Sequence, residues 1–182
     1  VVTTYRLNGA GGPNSDCTPA SLKNEQALKT ITNTTATGGL VATSSTDVVA
    51  ISWTTVSGEP GYLDWPNGNY IVSLDVRRAA VDSYKLQLVR VSSGCTVQET
   101  LGTSGSLTGT GVKELVLSGI DPSSGADTDR FQLRVLATNS SPSATKRLSA
   151  SITEQSYIRG PWGPERIPPI TMSKRLGRLL RM

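Results

Sequence analysis

The sequence predicts an all-β protein, an antiparallel β-sandwich or small barrel followed by a basic C-terminal arm. Three observations predict it. Apolar and polar residues alternate over short stretches, Gly and Pro punctuate the text between them, and the composition changes abruptly near Gly160. Alternation with β-branched enrichment marks a half-buried strand, because successive side chains leave a strand on opposite faces.

Taken in order, the first strand candidates are 1–7 and 39–43. VVAISW then aligns Val49, Ile51 and Trp53. NYIVSLDV puts Tyr70, Val72, Leu74 and Val76 on one face, with Ser73 and Asp75 on the other. Candidates 84–91, 95–101 and 112–118 follow. RFQLRVLA turns Phe131, Leu133, Val135 and Ala137 inward, with Arg130, Gln132 and Arg134 outward. RLSASI groups Leu148, Ala150 and Ile152. EPGY, DWPNGN, SSG, GTSGSLTGTG and DPSSGADTD separate these runs as turns. About eight or nine strands at this spacing fit a sandwich or barrel. SLKNEQALK, residues 21–29, is the one helical candidate in the body, and no repeat of domain-building length is visible.

SYIRGPWGPERIPPI crowds four prolines between Pro161 and Pro169. Such a run cannot join a sheet interior and favours an extended backbone. The domain boundary is expected between Ile152 and Ile158, giving a sandwich over 1–157 and an arm over 158–182. Fully extended, that arm reaches about 80 Å.

The net charge of +4 divides unevenly. Residues 158–182 carry Arg159, Arg166, Lys174, Arg175, Arg178 and Arg181 against Glu165 alone, or +5, leaving −1 for residues 1–157. A near-neutral domain lacks the basic face of a nucleic-acid binder. No apolar run is long enough to span a bilayer as a helix. The opening VVTTYRLNGAGG has no charged-then-apolar secretory pattern. Cys17 and Cys95 could pair or stay as free thiols, and without a secretion signal free thiols are expected.

The chain contains no histidine. Ser-His-Asp triads, Cys-His pairs and imidazole metal ligands are therefore excluded. Asp64, Asp75, Glu99 and Glu114 could supply paired carboxylates for glycoside hydrolysis only if two faced one cleft. Asp75 and Glu114 instead lie in alternating strands, where an outward charge is ordinary. A non-enzyme without a cofactor is expected.

DWPNGNYIVSLDV, YKLQLVRVSSGC, TGTGVKELVLSG and DRFQLRVLATNS together resemble a β-sandwich module of tailed-bacteriophage virion proteins. The resemblance covers roughly residues 62–153. It implies a jelly-roll-like fold and a structural place on a virus particle. It brings no list of functional residues, and the basic extension is not part of its pattern.

The arm offers the main candidate binding residues. On a helical wheel Met172, Leu176, Leu179 and Leu180 share one side, and Lys174, Arg175, Arg178 and Arg181 the other. Ser173 could cap that segment, although Gly177 weakens it. So short a helix needs a surface to order it, and spaced leucines call for a groove on another protein. Trp162, between two Gly-Pro pairs, and Arg159 complete the expected contact set.

Two lesser candidates remain in the body. Tyr62, Trp65 and Tyr70 surround a Pro/Gly turn and could form a sugar platform, although Tyr70 falls on the inward face. Asp121, Asp127 and Asp129 in DPSSGADTD are a weak metal candidate, since such residues are also ordinary turn formers. The triplets at Asn33 and Asn139 carry no weight in Ser/Thr-rich text.

The expected function is a bacteriophage virion structural protein, a capsid decoration or cement subunit. It would bind neighbouring capsid proteins through its sandwich edge and arm, with copies closing a symmetric ring such as a trimer. The expected location is the virion, assembled in the host cytoplasm, with no membrane and no nucleic acid as partner. Alternatives are a head-to-tail or tail accessory protein, or a carbohydrate-binding module of a receptor-binding protein.

Overall fold

The computed structural model describes residues 3–7, 23–28, 36–56, 59–60, 65–141 and 144–161, all strand or connection and none helical. The strands are β1 (Thr3–Leu7), β2 (Lys23–Leu28), β3 (Thr37–Val41), β4 (Ser44–Thr55), β5 (Gly68–Ala79), β6 (Ser83–Val91), β7 (Val97–Thr103), β8 (Gly111–Ile120), β9 (Arg130–Asn139), β10 (Lys146–Ser151) and β11 (Tyr157–Gly160).

Pairing sorts the middle eight into two sheets. One runs β3-β10-β5-β8 and the other β4-β9-β6-β7, all neighbours antiparallel. Labelled in chain order, this is the strand order of an eight-stranded jelly roll. The first sheet holds the first, eighth, third and sixth of these strands, and the second holds the remaining four. The expected jelly-roll sandwich is present.

The other three strands close one side of it. β11 pairs with β5 at 71–73, directly after β10 has paired with β5 at 75–79. β10 and β11 thus act as one strand interrupted by residues 152–156. Ser156 repairs the interruption: its hydroxyl donates to the Ser151 carbonyl at 2.8 Å and accepts from the Asp75 amide at 3.3 Å. From β11 the pairing passes antiparallel to β1, antiparallel to β2, and then in parallel to β4. The two sheets become one curled sheet.

The core lies between the sheets where alternation places it. Tyr70, Val72, Leu74 and Val76 of β5 face Leu133, Val135 and Ala137 of β9, with Leu86 and Leu88 of β6, and all are buried. Trp53 and Ile51 of β4, Leu148 and Ala150 of β10, and Ile158 of β11 complete it. Each buried Val, Leu or Ile side chain among them contributes about 1.5–3 kcal/mol of hydrophobic burial. β3 and β4 approach closely at Gly39, where an added Cβ would lie 2.4 Å from the Ala50 carbonyl oxygen.

Three expectations are corrected here. Residues 23–28 of the helical candidate form β2, because pairing with β1 and β4 satisfies their backbone more fully than an isolated helical turn could. The expected boundary after residue 157 falls within β11, so Tyr157–Gly160 belong to the sheet. Cys95 is disulfide-bonded rather than a free thiol, and the other cysteine, Cys17, lies outside the described residues.

Candidate functional site

Among the described residues, a concave surface lies on the outer face of the β3-β10-β5 sheet. A β-bulge creates it. Ser149 pairs with Arg78, but the next residue, Ala150, pairs with Val76, so Arg77 is an extra residue in β5. A bulge re-aims side chains. Arg77 and Arg78 both line an open cleft of about 580 Å³, joined by Arg147 from β10. The floor is small: Ala36, Gly38 and Ser149. Gly38 is flush with Ser149, since a Cβ added there would sit 2.9 Å from the serine Cβ.

The electrostatics of the cleft are one-sided. All three arginines are exposed, and none makes an ion pair with a carboxylate among the described residues. Lys146 of β10 and Lys85 of the opposite sheet, by contrast, have partners. Lys146 pairs with Asp82 at 2.6 Å, and Lys85 pairs with Asp47 at 2.7 Å.

A second cationic feature lies further along the same sheet, where β11 meets β1. The Tyr157 ring has Arg159 4.7 Å from its centroid on one hand and Arg6 at 5.8 Å on the other. Arg6 also pairs with Glu154 at 2.9 Å, and Arg159 Nε donates to Thr4 Oγ1 at 3.3 Å. Arg159, expected to belong to the arm, is therefore held within the sheet. Val112 and Val116 of β8 are exposed apolar residues, and Val116 sits opposite Ile71 of β5.

Of the other expected binding residues, Trp162, Met172, Lys174, Arg175, Leu176, Arg178, Leu179, Leu180 and Arg181 lie outside the described residues.

The sugar platform does not form. Trp65 and Tyr70 are 3 % and 0 % exposed, Trp65 packs against Phe131, and the Tyr70 hydroxyl donates to the Pro66 carbonyl at 2.6 Å. Burial pushes the Tyr70 phenol well above its usual range, with the Glu99 carboxylate adding to the effect. Neither ring can stack on a sugar. Tyr62 lies outside the described residues.

The aspartate loop also serves the fold. Asp129 is 5 % exposed, accepts the Ala126 amide at 3.1 Å and lies 3.7 Å from Arg90 Nε. Asp121 and Asp127 are exposed, and no group of three metal-ligating side chains occurs among the described residues. Of the possible carboxylate pairs, Asp64 lies outside the described residues, and the others do not line the cleft. Asp75 and Glu114 sit on neighbouring strands two registers apart, while Glu99 is bound to Ser123 and Arg90. Asn139 is fully buried and donates to the carbonyls of Val41 and Ala144.

The arginine cleft was not anticipated from the sequence. Its signal is the dipeptide Arg77-Arg78, two consecutive polar residues that break the alternation of β5. Arg147 joins them only through β10–β5 pairing. No protein-family model matches the chain, and no curated protein matches it either.

Proposed function

We propose that the chain is a bacteriophage virion structural protein, a non-enzymatic capsid decoration or cement subunit. The observation that carries this reading is the strand order, β3-β10-β5-β8 facing β4-β9-β6-β7, an arrangement common among viral capsid domains. It agrees with the architecture implied by the virion-protein resemblance.

Surface chemistry supports the same reading. The outer face of the β3-β10-β5-β8 sheet offers cationic and apolar contacts side by side, from Arg77, Arg78 and Arg147 to Val112 and Val116. A disulfide at Cys95 suits a protein that persists in oxidising surroundings, particle surfaces included. Attachment would come from buried area repeated over many copies, with the basic arm adding a second contact to each and a symmetric ring, such as a trimer, multiplying both.

Gold-labelled antibody against the chain, applied to virions of the phage that encodes it, tests the proposal. Label over the head is the expected result. Label at the head–tail junction or along the tail would move the protein to an accessory role, and unlabelled virions would overturn the reading. A chain ending at Pro161 keeps β11 and removes only the arm. Its expected behaviour is loss from particles that retain the full chain.

A further inference from the structure

We propose that the cleft over β3, β10 and β5 is a docking site for an extended acidic segment of a partner polypeptide. The inference does not rest on the virion reading, since an acidic segment of any protein would meet the same groups.

Three features of the cleft point to this occupant. First, Arg77, Arg78 and Arg147 converge on one space without a carboxylate partner among the described residues. Guanidiniums held near one another repel until an anion arrives, and their planar forks match carboxylates in bidentate fashion. The bulge at Arg77 is what brings two of them from one strand to the same space.

Second, the floor is shaped for a main chain. Gly38, Ala36 and Ser149 leave a low surface with a single hydroxyl, and about 580 Å³ accommodates a few residues of extended peptide. Leu40, two residues beyond Gly38 on β3 and opposite Arg147, is 65 % exposed and offers an apolar contact at the rim. An occupant with acidic and apolar side chains matches both.

Third, the surroundings disfavour a nucleic-acid strand. Asp75 lies two residues before Arg77 on β5, and Glu114 is exposed on the adjoining β8. These acids would repel a continuous phosphate backbone beyond the cleft. Among the described residues, no aromatic side chain lines the floor to stack a base. Discrete carboxylates on a peptide can be placed between the acids.

The test uses the full chain carrying Arg166→Gln, Lys174→Gln, Arg175→Gln, Arg178→Gln and Arg181→Gln, so that the cations beyond β11 do not contribute. A fluorescein-labelled peptide alternating glutamate with valine is titrated, and anisotropy reports binding. The same peptide with glutamine in place of glutamate is the control. The acidic peptide is expected to bind and the control to bind far more weakly. Arg77→Gln, Arg78→Gln and Arg147→Gln together should weaken binding by about tenfold or more, because each removes a charge-assisted contact. Ser149→Glu, which puts a carboxylate on the floor and leaves every arginine in place, should weaken it as well. Unchanged urea unfolding midpoints would show that these substitutions leave the fold intact.

Equal affinity for acidic and control peptides would overturn the proposal, as would undiminished binding by both cleft variants. A single-stranded oligonucleotide that bound more tightly than the peptide, with the same dependence on the three arginines, would also overturn it and assign the cleft to phosphates.

Discussion

Arg90 and Asp129 form an ion pair inside the protein, with Nε 3.7 Å from Oδ2 and both side chains less than a tenth exposed. The pair closes one end of the sandwich. Arg90 comes from β6, Asp129 from the loop before β9, and the same guanidinium reaches Glu99 of β7 at 3.4 Å and Ser123 Oγ at 3.0 Å. It also lies 5.6 Å from the Trp65 ring centroid, so the charge is covered by an aromatic face. Gly125 makes the approach possible, since a Cβ there would sit 2.4 Å from both Arg90 Nη1 and Asp129 Oδ2. Removing Asp129 leaves the buried Arg90 charge with the partly exposed Glu99 as its counter-ion, a poorer compensation than the buried pair. Asp129→Ala should therefore lower unfolding free energy by about 3 kcal/mol, read from urea midpoints. Arg90→Met combined with Asp129→Leu should cost less than the two single changes added together.

The contact between sheets at Gly39 gives a sharper steric prediction. Backbone carbonyls cannot rotate aside as a side-chain tip can, so Gly39→Ala must push β3 away from β4 at Ala50. A loss of about 1–3 kcal/mol is expected from such overpacking. Gly105→Ala is the matched control, because nothing lies within 4 Å of its added Cβ. Thermal melts of the two variants should differ clearly, with Gly105→Ala close to the parent.

Alternation made most of this fold legible. The expected inward sets of β5 and β9 are buried, as are Trp53, Leu148 and Ala150. β2 was obscured because Lys, Glu, Gln, Ala and Leu are good helix formers, and only pairing with β1 and β4 overrides that preference. β11 was obscured by its length of four residues and by the prolines that follow. The site was less legible than the fold for a related reason. Arg77 and Arg78 are adjacent in sequence, but the bulge that aims both at one cleft is a property of β10–β5 registry. Arg90 reads as an ordinary polar residue of a strand until Asp129 and Glu99 arrive from distant positions.

Asp82 makes stability depend on acid. Its carboxylate accepts from Lys146 Nζ at 2.6 Å, and from the Ser140 amide and hydroxyl, tying the β5–β6 turn to the start of β10. The Lys146 hydrogen bond first, and then those from Ser140, hold its pKa well below the usual 3.8. A depressed folded pKa means that the unfolded chain takes up the proton first. The stabilisation is therefore complete above the ordinary carboxylate value and fades as pH falls through the depressed one. Asp82→Asn should be less stable than the parent near neutrality, with the gap constant down to about pH 5 and narrowing below about pH 4. Urea midpoints measured across that range check the sign; a gap that widened in acid would contradict it.

Tyr84 predicts the complementary behaviour in base. Burial pushes its phenol up to about 12, and its hydroxyl donates to the Gly109 carbonyl at 2.8 Å. The bond fixes the long connection between β7 and β8, which also pairs with Tyr84 through Leu107. A raised folded pKa gives stabilisation that is complete below the ordinary phenol value of 10.0 and is lost as pH rises towards about 12. The parent should thus unfold more readily as pH climbs above about 10, because the unfolded phenol ionises first. Tyr84→Phe removes both the hydrogen bond and that titration. It should start about 1 kcal/mol less stable near neutrality, the ordinary net worth of one hydrogen bond. Its decline above pH 10 should then be shallower than the parent's, and parallel declines would show that Tyr84 does not titrate differently on folding.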